Sequence, residues 1–219
     1  MTTFSVPSIP LPFDPAMRSL VRLAAAAAGG TESAIRAAVG AAVRDAPGVW
    51  VEEVVLQTYL FAGFPRALNT AREWRRAAGV TGSPAGDAGL DESTDYARAA
   101  DWRARGEATC AIVYGGSYEK LRENVRALHP ALDAWMVVDG YGKVLSRPGL
   151  DLGRRELCIV AACAATRQDR QLHSHLHGAI HAQVPLGAVD ATFEAIADLL
   201  PAGALESARL LWSRVRSQH

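Results

Sequence analysis

The chain is poor in several features that would place it quickly, and each shortage excludes something. Cysteine occurs only at Cys110, Cys158 and Cys163. An odd, small number in a chain long enough to bury its own core argues against a disulfide framework, so all three are expected to be reduced. Neither sign of charge is in excess: 23 Lys plus Arg offset 23 Asp plus Glu, which leaves no electrostatic drive toward nucleic acid or an anionic membrane. No apolar run reaches the ~18 residues that span a bilayer, because Arg22 and then Gly29-Gly30 interrupt the best candidate. The opening ten residues lack both a basic start and a continuous apolar stretch, so no secretory signal is read there and the cytoplasm is expected. Aromatic residues make up 7%. That scarcity, with abundant alanine and apolar residues recurring at three and four, points to helices. The 49% hydrophobic and 21% charged composition is that of an ordinary globular protein rather than a disordered or fibrous one.

The expected fold class is therefore all-α. Residues 16–28 form a strong helix former closed by Gly29-Gly30, and Thr31 with Glu32 opens a second helix that ends at Pro47-Gly48. A third begins at Val51, Gly63-Phe64-Pro65 breaks or kinks it, and residues 67–77 read as a fourth. Residues 79–89 are rich in glycine and small residues and read as a flexible linker. Further helices are expected over 93–105 and 118–128, the latter ended by His129-Pro130. A short helix over 133–138 precedes Asp139-Gly140-Tyr141-Gly142, and Arg147-Pro148-Gly149-Leu150-Asp151 leads into a helix near Arg154.

Sliding the sequence on itself by 137 places Arg155, Leu157, Ala161 and Ala162 on Arg18, Leu20, Ala24 and Ala25. The same shift lays residues 204–209 over 67–72 with four identities in six, given one small length adjustment between. Duplication of a helical unit is the expectation.

Four of six histidines fall within residues 173–181. On a helix, His173, His177 and His181 share one face, whereas His175 points about 200° away from His173, toward Leu172, Leu176 and Ala179. The three-His stripe could share a transition ion. The plainer reading is a solvated face, since no carboxylate or cysteine stands at the next turn, and no metal is assigned. His175 is expected to be buried, where a lone histidine is more often structural than catalytic.

The string Tyr141-Gly142, Val144, Arg147-Pro148-Gly149-Leu150, Arg154-Arg155-Glu156-Leu157 and then His175 with Gly178-Ala179 resembles the carboxymuconolactone decarboxylase family. Glu52-Glu53-Val54, Leu56-Gln57, Tyr59, Ala62-Gly63-Phe64-Pro65 and Ala67-Leu68-Asn69 resemble the second half of the same pattern, and residues 81–134 are largely unmatched. The resemblance implies membership of the alkyl hydroperoxidase D superfamily, helical proteins that assemble as trimers or hexamers. Two tandem repeats packed as a pseudo-dimer, at 1–78 and 135–219 around an intervening segment at 79–134, would then give a homotrimer that imitates a hexamer. In the peroxidases of that superfamily the site is a Glu, a Cys-x-x-Cys and a His. Counted from Glu156, the template reaches Gln168, Gln171 and His175, so the acid and the base are present and the thiol pair is absent. Cys158 and Cys163, five apart on a helix, point in different directions and do not replace it. In the first block the template lands on Ser19, Thr31, Ala34 and Ala38, none an acid or base, and that block is expected to serve as scaffold or pocket wall.

The resemblance therefore implies a cofactor-independent lyase-like enzyme, a decarboxylase or proton-transfer catalyst acting on a small carboxylate or lactone. Glu156 and His175 would be its catalytic pair; Arg147, Tyr141, Gln168 and Gln171 would bind substrate. Loss of CO2 leaves an enolate to be protonated, which calls for a cation at the carboxylate and an acid near neutral pKa. Arg147 and His175 could supply these, Arg154 and Arg155 being alternatives for the anion, and Glu156 would orient the imidazole. Tyr59 and Phe64 are expected in the core. A non-catalytic oligomeric member of the superfamily is the alternative, and thiol peroxidase chemistry a third reading.

Overall fold

The computed structural model describes residues 11–79 and 95–219. All regular elements among them are helical, as the period predicts. Apart from single 3-10 turns at Tyr96–Arg98, Gly115–Ser117 and Ala197–Leu199, they are, in chain order, α1 (Pro15–Gly29), α2 (Glu32–Asp45), α3 (Gly48–Ala78), α4 (Ala99–Tyr114), α5 (Tyr118–Leu128), α6 (Pro130–Trp135), a π-helical segment (Met136–Leu145), α7 (Leu152–Thr166), α8 (Asp169–His181), α9 (Leu186–Ile196) and α10 (Ala204–Arg216). The amino-terminal segment, most of the expected linker and the start of the helix expected at 93 lie outside the described residues.

Local chemistry sets the helix ends. Asp14 caps α1 by accepting from the Met17 N–H at 2.8 Å, and Asp151 caps α7 by accepting from the Arg154 N–H at 3.0 Å. Thr31 caps α2 through the Ala34 N–H. Proline precedes the first helical residue of both α3 and α9, with nearly equal backbone angles at Pro47 (φ −56°, ψ 135°) and Pro185 (φ −58°, ψ 134°). The third and fourth helices expected from the sequence are one element bent at Gly63, whose φ of 77° and ψ of 166° fall where only glycine sits without strain. Pro65 then occupies the first turn beyond the bend, where its missing N–H costs nothing.

The centre of the molecule is α1 laid along α7. Both are buried over most of their length: residues 23–28 of α1 and 155–165 of α7 are inaccessible or nearly so. Their alanine content explains the close approach, since small side chains let two backbones come together; a Cβ at Gly29 would stand 2.7 Å from the Ala165 carbonyl oxygen. Larger side chains, among them Leu20, Leu157, Leu172, Phe193 and Trp212, fill the layers on either side. Each such burial is worth about 1.5–3 kcal/mol.

The two ends of the chain run parallel in plan. A shift of 137 carries the bounds of α1 onto those of α7. It also carries Glu32 of α2 onto Asp169, the first residue of α8. From the prolines onward the offset is 138. Trp74 donates its indole N–H to Glu52 at 2.9 Å, and Trp212 donates its own to Asp190 at 2.8 Å. The four-in-six identity seen at 137 over residues 204–209 is therefore one residue out of structural register.

Two expectations are corrected. The glycine-bearing string at 139–142 is not a break: α6 runs directly into the π segment, which continues to Leu145. Gly106 and Gly142 have no Cβ because the backbones of Val137 and Trp102 stand where one would go, so these glycines are contact points between α4 and the π segment. Phe64 is not core: it is 65% exposed and stacks on Tyr59 with ring centroids 5.0 Å apart. The bend at Gly63 swings it outward.

Candidate acid-base site

Glu156 lies on α7 and His175 on α8, and their side chains meet: the His175 Nδ1–H donates to Glu156 Oε2 at 2.8 Å. Glu156 is fully buried, and 6% of the His175 side chain is exposed. The carboxylate thus fixes one imidazole tautomer and leaves Nε2 as the nitrogen able to take or give a proton. Oε1 of Glu156 is buried without a hydrogen-bond partner. A buried carboxylate oxygen left unpaired is costly, and such atoms concentrate where a ligand, water or proton is expected.

The approach depends on Gly178. A Cβ there would lie 2.6 Å from Glu156 Oε2 and 2.8 Å from the Val113 side chain, so only glycine lets α8 come this near. Phe61, just before the bend in α3, meets the His175 ring edge-on with centroids 5.7 Å apart. The first block therefore contributes a wall to the site.

Tyr141 is delivered from the π segment and is 4% exposed. Burial, aided by the Tyr114 hydroxyl and the charge of Glu156, holds its phenol well above the usual tyrosine range. Tyr114, at the end of α4, is pushed by burial to about 12 and shares a side-chain hydrogen bond with Tyr141. The two rings meet at 71° with centroids 6.2 Å apart. Burial likewise pushes Cys110 and Cys163 to about 12 and raises Cys158 further, so all three are neutral thiols and none is paired. The reduced, inert reading of the cysteines holds.

Arg147 is engaged elsewhere. Its Nε donates to Glu53 Oε1 at 2.9 Å and Oε2 at 3.0 Å. Arg155, wholly buried, donates to the same carboxylate at 2.7 Å, to the Leu150 carbonyl at 2.9 Å and to Gln57 at 3.3 Å. Gly149 makes room, since a Cβ there would stand 2.7 Å from the Glu53 side chain. Glu53 and Gln57 of α3 thus clamp the entry of α7, a contact across 94 to 102 residues of chain that local reading could not pair. Arg154 rests on the Trp50 ring at 4.3 Å and binds Asp151. Gln168 and Gln171 occupy the exposed start of α8 and do not join the buried pair.

A narrow apolar crevice between α1, α3 and α7, with room for about one water molecule, is lined by Gln57, Thr58, Phe61, Cys158 and neighbouring small residues, but by neither Glu156 nor His175. The residues that sequence reasoning missed are Tyr114, Val113 and Phe61. Tyr114 and Val113 belong to the segment without family resemblance, and Phe61 carried no signal beyond its apolarity.

His173, His177 and His181 share the solvent face of α8 as expected, and His219 joins them from beyond α10. Burial, with the neighbouring imidazoles of His173, His219 and His181, holds His177 below the usual histidine value.

No helix among the described residues is long and apolar enough to cross a membrane. No curated protein matches the chain. The family model of the carboxymuconolactone decarboxylases matches residues 130–212, the stretch that holds Tyr141, Arg147, Glu156 and His175. That second block is what the chain shares with the carboxymuconolactone decarboxylase family.

Proposed function

We propose that Glu156 and His175 form the acid-base element of a cofactor-independent enzyme that decarboxylates, or moves a proton on, a small carboxylate or lactone. The observation that carries this reading is the 2.8 Å Glu156–His175 contact with Glu156 Oε1 left unpaired in the interior. An enolate formed in the site would take its proton from the imidazolium at Nε2, and Glu156 would stabilise that cation while it lasts. Tyr141 and Tyr114, both neutral phenols, would donate hydrogen bonds to the developing oxyanion. Of the two arginines on Glu53, Arg147 is the one with some exposure, 14% of its side chain, and would be the one to turn toward a substrate carboxylate.

Duplication belongs to the same reading. The coincident bounds of α1 and α7, the paired aspartate caps and the paired indole-to-carboxylate bonds support two copies of one unit, of which the second kept the chemistry. Exposed Leu56, Phe64 and Leu68 on α3 and Leu128, Leu132 and Trp135 near α6 support a homo-oligomer, expected as a trimer. Light scattering on the purified chain reads that number directly.

A second reading, a non-catalytic oligomeric member of the family, draws on two observations: the crevice beside Phe61 does not include the pair, and Arg147 and Arg155 already share Glu53. Carbon dioxide release from a panel of lactone carboxylic acids separates the two. Turnover lost in both His175→Ala and Glu156→Gln, with folding intact, supports the enzyme. Turnover that persists in folded His175→Ala removes the pair from the chemistry, and absence of turnover across the panel favours the second reading.

A further inference from the structure

The face of α8 opposite His175 holds an arrangement that the acid-base reading does not use. Along α8, His173 and His177 meet with ring centroids 4.9 Å apart, and His177 and His181 lie 6.4 Å apart. His219 closes the group, 5.3 Å from the His177 ring and 6.0 Å from that of His181. His177 Nδ1 and His219 Nε2 are 3.1 Å from each other. Among the described residues no Asp or Glu is recorded as a partner of any of the four rings; their recorded hydrogen bonds are to one another and to the Val113 carbonyl.

Three features distinguish this group from a solvated polar stripe. Histidines at i and i+4 on one helical face are the spacing that lets two imidazoles hold one zinc ion, and α8 offers that spacing twice. Two nitrogens bound to one tetrahedral ion at 2.0–2.1 Å stand about 3.3 Å apart, close to the 3.1 Å separating His177 Nδ1 from His219 Nε2. The third is an outer-shell contact. His181 donates its Nδ1–H to the Val113 carbonyl at 2.8 Å, which fixes the tautomer and leaves Nε2 as the lone-pair donor. The His181 ring is also held against Gly115, where a Cβ would stand 3.0 Å from His181 Cε1.

We propose that His177, His181 and His219, whose rings are mutual neighbours, form a surface site for one borderline transition ion of the zinc class. Imidazole suits Zn2+, Co2+, Ni2+ and Cu2+. Among the described residues no three ligating side chains already converge on one point, so the ion assembles the site: it replaces the proton shared by His177 and His219. His181, locked to Val113, is the fixed ligand, and through Val113 the site touches the same residue that packs against Gly178 beneath Glu156.

The test uses the untagged chain, because an affinity tag of histidines would mask the result. Co2+ is titrated and followed by its visible absorption, and Zn2+ is measured by competition with a chromophoric chelator. The expected result is one ion per chain, with affinity falling roughly tenfold or more in His177→Ala and in His181→Ala, while Glu156→Gln binds as the parent does. The first two positions are on the surface, and circular dichroism verifies that the variants fold. No uptake at one equivalent, or uptake unchanged in both histidine variants, overturns the proposal.

Discussion

The two ends of this chain set helices of matching bounds around different side chains, and the contrast is clearest at corresponding positions. Where α7 carries Glu156, α1 carries Ser19, bound to Asp45 at 2.7 Å. Where α8 carries His175 and Gly178, α2 carries Ala38 and Ala41. At these positions the first block has neither the acid nor the base, nor the glycine that admits them. It holds instead the buried Glu53, which takes both Arg147 and Arg155 and so ties the entry of α7 to α3. A carboxylate saturated by two guanidinium groups is a structural clamp; one that meets a single imidazole and keeps an oxygen without a partner is the one the proposed proton transfer calls on. The difference lies in the partners, since both carboxylates are equally buried.

The comparison can be broken most severely at Glu53. Glu53→Ala strands two largely buried cations and should cost about 3–5 kcal/mol in urea unfolding. Glu156→Gln should cost distinctly less, because the amide oxygen still accepts from His175 Nδ1–H and no charge is left unpaired. Equal losses would mean that the two carboxylates play the same part. Gly178→Ala comes next: its Cβ meets Glu156 Oε2 and Val113, and a loss of about 1–3 kcal/mol is expected. Ala41→Gly, the mirror change in the first block, should cost only about 1 kcal/mol through helix propensity.

Between the blocks, Asp133 sharpens the picture of the intervening segment. Arg122 and Arg126 hold its carboxyl below its ordinary value, chiefly through the Arg122 hydrogen bond. A depressed folded-state pKa stabilises above the unfolded value of 3.8 and is lost as pH falls through the lower folded value. Asp133→Asn should therefore lower stability at pH 7 by about 1 kcal/mol and remove part of the acid limb of the stability profile. The smallest effect tests the likeness rather than the contrast: Trp74→Phe and Trp212→Phe each lose one indole-to-carboxylate bond, and each should cost about 1 kcal/mol. Markedly unequal costs would speak against a shared plan.

Much of this was legible from residue patterns. Gly29-Gly30, Thr31 and Pro47 punctuate the first helices where the structure does, and the 200° separation of His175 from His173 placed one inside and the other outside. The Glu156–His175 contact followed from a family spacing, and the structure joins the two at hydrogen-bond distance. What escaped was of two physical kinds. Gly140 and Gly142 lie beyond a short helix when read locally, yet Gly142 marks backbone contact between the π segment and α4, a property of the packed pair. The Glu53 clamp joins residues almost a hundred positions apart, so local sequence could leave Arg147 as an anion binder or one half of a loop salt bridge but could not name Glu53 as its partner.

The central claim is that His175 Nε2 is available for proton transfer while Nδ1 is held by Glu156. Site-resolved carbethoxylation by diethyl pyrocarbonate, mapped by mass spectrometry on the folded chain, tests this most directly. The account predicts that His175 is modified at Nε2, more slowly than the exposed His173, and that prior modification is accompanied by loss of any turnover. A His175 that stays unmodified in the native chain while His173 and His177 react to completion would contradict it and leave the pair as a sealed structural contact.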